Sequence, residues 1–82
     1  MPYITQDLRD DIDSGAIPQT AGELNYLLTV TALEYLREKG ESYAAYNDVL
    51  GALEGCKLEL YRRRIAPYED FKMELNGEVL VD

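Results

Sequence analysis

ELYRRRIAPYED, residues 59–70, decides how the C-terminal half of this chain is read. The chain carries 16 acidic and 8 basic side chains, a net charge of -8, yet three of the basic ones stand together at Arg62, Arg63 and Arg64. Glu59 lies before them, and Glu69 and Asp70 lie after. Pro67 has no N–H and disfavours α geometry at Ala66, so a helix arriving from residue 47 is expected to halt or kink near residue 65. The arginines then fall in its last turn, where each cation offsets the negative helix end by about 0.3–1 kcal/mol. Glu59 is spaced to pair with Arg63 at i+4. The competing reading is an anion site, because arginine forks match phosphate or carboxylate in bidentate fashion. Tyr61 or Tyr68 would then stack on a flat base. Cations at a helix end are the commoner arrangement. Three consecutive residues also point in different directions around a helix, so at most two face one ligand within a subunit. Symmetric copies would gather more.

Upstream, NDVLGALEGCKLEL continues this third helix back to about residue 47. Its cap is Ser42 or Asn47, with Asn47 favoured because Asp48 follows it. Val49, Leu50, Leu53, Cys56 and Leu60 form one apolar stripe, and Leu58, Tyr61 and Ile65 form another. Gly51 and Gly55, four apart, permit close approach by a second helix. Further back, TAGE at residues 20–23 is a capping box opening a helix over 21–39 that ends at Gly40. Its apolar residues also fall on two sides: Leu24, Leu27, Leu28, Thr31 and Tyr35, then Tyr26, Val30 and Leu33. Helices apolar on two sides are covered on two sides, which points to a partner subunit. Thr5 caps a short first helix over 5–13, striped by Ile4, Leu8 and Ile12, and residues 14–19 form a loop.

Downstream, FKMELNGEVLVD alternates Phe71, Met73 and Leu75, then Asn76-Gly77, then Val79 and Val81. Asn-Gly between alternating residues predicts a β-hairpin. The rival is a helix ending at Gly77.

The totals set bounds. Eighty-two residues make a single helical domain, 1–82, with a marginal core. One Cys, Cys56, and no His exclude an internal disulfide and a zinc site of the usual kind. No metal or cofactor is called for. A lone Cys suits a reducing compartment, so a soluble cytoplasmic protein is expected, and no run approaches the ~20 apolar residues needed to cross a membrane. Net acidity argues against direct nucleic-acid binding, which relies on Lys and Arg. The same acidity suits a decoy that blocks a nucleic-acid-binding partner, and four Asp lie between residues 7 and 13.

Seven tyrosines against one Phe and no Trp suit interfaces, where the ring is buried and the hydroxyl finds a partner. Asn25 is a poor residue for a helix interior and is expected to bond across to another helix or to touch a ligand. Glu34 with Glu38, and Glu54, are the carboxylates that an enzyme would use. With no His, no nucleophile elbow and no phosphate loop, an enzyme is the weakest class.

GELNYLLT, NDVLGALEGCKLELYRRRIAPYED and NGEV together resemble a family of short uncharacterised proteins of bacteria and their phages. The resemblance runs from PYI at residues 2–4 to NGEV at 76–79. It implies a compact stand-alone protein and supplies no functional residues. By analogy with small oligomeric phage proteins that sequester nucleotide signals, it suggests a sponge. The expectation is a mainly α, small three-helix bundle with a short C-terminal β-hairpin. Copies would associate into a non-enzymatic homo-oligomer holding an anionic, nucleotide-like small molecule. Arg62, Arg63, Arg64, Tyr61, Tyr68 and Asn25 are the candidate ligand-binding residues.

Overall fold

The computed structural model describes residues 4–80. The chain divides into two compact units, Met1–Tyr46 and Asn47–Asp82.

In the first unit, α1 (Gln6–Asp13) is capped by Thr5, whose Oγ1 accepts from the Leu8 N–H at 3.3 Å. A loop leads to α2 (Ala21–Lys39), which opens on Thr20. The Glu23 N–H donates to Thr20 Oγ1 at 3.2 Å, and that hydroxyl donates to Glu23 Oε2 at 3.0 Å. The capping box therefore closes through the hydroxyl where the Thr20 N–H was expected to serve. This matters because Glu23 is buried, and a buried carboxylate needs its hydrogen bonds. α1 packs on α2 and buries Ile12. A Cβ at Gly22 would lie 3.2 Å from Ile4 Cγ2, so a larger residue at the start of α2 needs the Ile4 side chain to shift by a few tenths of an ångström. Gly40 ends α2 as expected.

The helix that follows, α3 (Tyr43–Leu60), is capped five residues before the favoured position. Ser42 is its cap, with Oγ accepting from the Ala45 N–H at 3.1 Å. Asn47 lies inside the first turns and is exposed. α3 does not end near Pro67. It widens into a π segment, Tyr61–Ile65, and continues as α4 (Ala66–Asn76). The Ala66 N–H donates to the Tyr61 carbonyl, an i→i−5 bond. The wide turn solves the proline problem. In a regular α-helix the Pro67 ring would press on the carbonyl four residues back, whose donor is also missing. One extra residue in the turn moves that carbonyl aside.

The expected hairpin is absent. Among the described residues there is no strand, and Phe71, Met73 and Leu75 all lie on α4. Asn76-Gly77 is a helix terminus instead: Gly77 has φ +93, and its N–H donates to the Met73 carbonyl at 2.8 Å. Pro67 near the start and glycine just past the end is the ordinary punctuation of a helix. Val81, half of the expected second strand, lies outside the described residues. The mainly α class with three principal helical segments fits, since α3, the π segment and α4 run without a break.

Burial is slight. Among the described residues the buried apolar ones are Ile12, Leu36 and Ala45, all in the first unit. In the second unit no described side chain is buried, and only Val49, Ala66 and Met73 are half-buried.

Candidate functional site

The arginine run sits inside a continuous helix, in its π segment, and there is no helix end for it to cap. That corrects the reading of these residues as last-turn cations. Arg62 and Arg63 are both held by one carboxylate. Arg62 Nη2 lies 3.0 Å from Glu59 Oε2, and Arg63 Nε pairs with Glu59 Oε1, the i+4 pair anticipated from spacing. Both guanidinium side chains remain over 70% exposed, at 72% and 71%, so the pairs are weak and exchangeable. Arg64 makes no ion pair among the described residues.

The flanking tyrosines are arranged differently from each other. The Tyr61 hydroxyl donates to Glu69 Oε1 at 2.6 Å, across the π segment. That hydrogen bond, with the Glu69 charge behind it, raises the Tyr61 pKa above its ordinary value of 10.0. Tyr68 is exposed, with Lys72 Nζ 5.7 Å from its ring centroid. Glu69, which follows the arginine run in the sequence, holds the Tyr61 hydroxyl.

Asn25 lies on α2, in the first unit. Its Oδ1 accepts from Thr29 Oγ1 at 3.2 Å, and that hydroxyl also donates to the Asn25 carbonyl at 2.8 Å. Its bond is thus to its own helix, where a bond across to another had been expected. The carboxylates considered for catalysis are dispersed. Glu54 pairs with Lys57 at 3.7 Å in the open, and among the described residues no group of His, Cys, Asp or Glu is placed to hold a metal.

Two clefts accompany these elements. In the first unit, a cleft of about 390 Å³ lies along α2, lined by Val30, Thr31, Glu34 and Arg37 with Asp13 and Tyr26. The Tyr26 hydroxyl donates to both Asp13 oxygens there, at 2.9 and 3.0 Å. In the second unit, a cleft of about 500 Å³ is lined by apolar Ala66, Met73, Val79 and Leu80. The Tyr61 ring and three carboxylates, Glu69, Asp70 and Glu78, complete it. Residues 77–80 were missed as part of any site because they were assigned to a hairpin strand. The usable signal was Pro67 paired with Gly77, which brackets a helix and leaves the following residues as a tail.

Over residues 1–79 the chain matches a family described as a domain of unknown function, DUF6899, and it belongs to that family. No curated protein and no solved structure matches the chain. No helix among the described residues is long and apolar enough to cross a membrane.

Proposed function

We propose, for a chain whose family carries no assigned activity, that it is a non-enzymatic homo-oligomeric binding protein. The observation that carries this reading is the state of the second unit. Leu50, Leu53, Leu58, Leu60 and Ile65 are between 42% and 65% exposed along α3 and the π segment, and no described side chain of the unit is buried. A helix in water gains most of its stability from packing an apolar face against a neighbour. Copies of the chain supply that neighbour with the same apolar surface. A standard interface covers about 800 Å² on each partner.

The candidate cargo is an anionic, nucleotide-like small molecule at the seam between copies. Arg62 and Arg63 supply its charge contacts by exchanging Glu59 for a ligand phosphate. Such an exchange is inexpensive for exposed pairs. Tyr68 offers an exposed ring beside them. Asn25, whose Oδ1 accepts a bond within its own helix, lies in the first unit. The free, exposed thiol of Cys56 suits a reducing, cytoplasmic setting.

Native mass spectrometry of freshly purified protein, joined to sedimentation velocity, tests the reading. The expected result is an oligomer at micromolar concentration, carrying an extra mass that leaves on denaturation and is lost in the Arg62→Ala/Arg63→Ala variant. A monomer at every concentration would refute the assembly. An oligomer with no extra mass would remove the cargo and leave the assembly. One observation favours a second class, a protein-interaction module: the cleft with three carboxylates fits a basic segment. Salt-sensitive binding of a basic protein to an otherwise monomeric chain would establish it.

A further inference from the structure

We infer that one face of the long second-unit helix meets the same face of another copy, the two chains running parallel and in register, with the π segment keeping that face continuous. The inference rests on the homo-oligomeric reading and names the surfaces that meet. Val49, Leu53, Cys56 and Leu60 follow one another at spacings of four, three and four, the d-a-d-a order of a heptad seam. Tyr68, Phe71 and Leu75 resume it as a-d-a, at three and four. The step between the blocks, Leu60 to Tyr68, is eight residues where the heptad needs seven. In a regular α-helix the surplus residue would turn Tyr68 about 80° away from Leu60. The π segment, Tyr61–Ile65, lies within that step, and its extra residue absorbs about 100°, which brings the blocks within about 20° of one line. The line runs from residue 49 to residue 75, about 40 Å at 1.5 Å of rise per residue. Leu53, Leu60, Tyr68, Phe71 and Leu75 are between 42% and 62% exposed, so the chain leaves it open.

The edges of the line identify what covers it. The e positions, next after d, hold Lys57 and Lys72, and the g positions, next before a, hold Glu59 and Glu74. One edge is therefore basic and the other acidic. Parallel copies set the g edge of each against the e edge of the other, so unlike charges meet on both sides of the seam. Antiparallel copies set e against e and g against g, like against like, whatever their axial offset. The chain is complementary to itself in one orientation only. The ion pairs of Lys57 and Glu59 within the chain are exposed, so they exchange readily for partners across the seam. In register, the arginine runs of both copies also come to one level, at the break between Leu60 and Tyr68. Glu59 of each chain, held by Arg62 and Arg63, offsets their repulsion. Polar residues inside such a seam fix its register at a cost in stability. Here they also gather from two copies the cations that one subunit points apart, at the place assigned to the anion.

Disulfide trapping tests the face, the orientation and the continuity together. Cys56 occupies a d position before the π segment and is exposed, so the unaltered chain is its own first probe. Diamide takes up the two hydrogens as two facing thiols join. In a Cys56→Ser background, Phe71→Cys places the thiol at a d position beyond the π segment, and Leu58→Cys places it off the seam at similar exposure. Cys56 and Phe71→Cys are each expected to give a covalent dimer, about tenfold or more faster than Leu58→Cys, because facing thiols react at the high effective concentration of an assembled pair. Parallel copies in register face themselves at both levels, whereas antiparallel copies can do so at one level at most. Sedimentation velocity on each reduced chain reads assembly independently. An oligomer that traps at only one of the two seam levels, or fastest through Leu58→Cys, overturns the inference and leaves the oligomer standing. An unaltered chain that sediments as a monomer at every concentration overturns both.

Discussion

Pro67→Ala separates what the π segment does from what the arginines do. In a regular α-helix, eight residues advance about 800°, which leaves positions 61 and 69 about 80° apart around the axis. One extra residue in the turn absorbs about 100° and brings them within about 20°. The 2.6 Å bond from Tyr61 to Glu69 is therefore a product of the wide turn. Removing the proline restores a backbone donor, a gain of about 0.5–1.5 kcal/mol. It also frees the unfolded chain, a loss of about 0.4–1 kcal/mol. Global stability should then change by less than about 1.5 kcal/mol, while α4 rotates by about 100° against α3. The assay is carbon-13 NMR titration of the tyrosine rings, with Tyr61→Phe to assign the signal. In the unaltered chain the Tyr61 titration lies above the ordinary tyrosine value, chiefly through its hydrogen bond to Glu69. In Pro67→Ala it should return toward that value, and urea unfolding should move little. A variant that stays folded and keeps the raised titration would show that the proline is not what holds the turn open.

Two further outcomes follow from local geometry. Ser42→Ala removes the hydroxyl that caps α3 and should cost about 1 kcal/mol, whereas Asn47→Ala should cost nothing or stabilise by a few tenths, in paired urea melts. Alkaline unfolding should expose three tyrosines: Tyr26 is raised by partial desolvation and its bond to Asp13, Tyr46 by its bond to Glu41, and Tyr61 by its bond to Glu69. Their neutral forms are favoured in the folded chain, so this contribution is complete below the unfolded tyrosine value of about 10 and is lost as pH rises through the raised folded values. The urea midpoint should hold steady to about pH 9 and fall above 10, and replacing all three by Phe should flatten that fall.

The parts of the fold legible in the sequence are those fixed by a side chain within a few residues. Thr20 with Glu23 marks the start of α2, Gly40 marks its end, and Thr5 opens α1. The Glu59–Arg63 pair follows from a spacing of four. The errors share one cause, a local signal read without its competitor. Asn47 has the chemistry of a cap, but Ser42 reaches the first free N–H groups earlier. Phe71, Met73 and Leu75 alternate, but alternation is compatible with a helix whose neighbours are not yet covered. Asn-Gly serves a hairpin or a helix end equally well, because both need a residue at positive φ.

Pro67 is the instructive case: a halt or a kink was expected from its stereochemistry, and the helix does not halt but continues through a widened turn. The ring does forbid the regular hydrogen bond, yet a break is only one way to satisfy that constraint. A single i→i−5 bond satisfies it while keeping the helix. The outcome changes the chemistry of the site. A helix end would have supplied a negative dipole for the arginines to neutralise, leaving them spoken for. A π segment in mid-helix supplies no such field. Arg62 and Arg63 turn to Glu59 by default, and Arg64 remains without an ion pair among the described residues. The cations that looked like punctuation therefore lie in mid-helix, where Glu59 is the carboxylate that pairs with two of them.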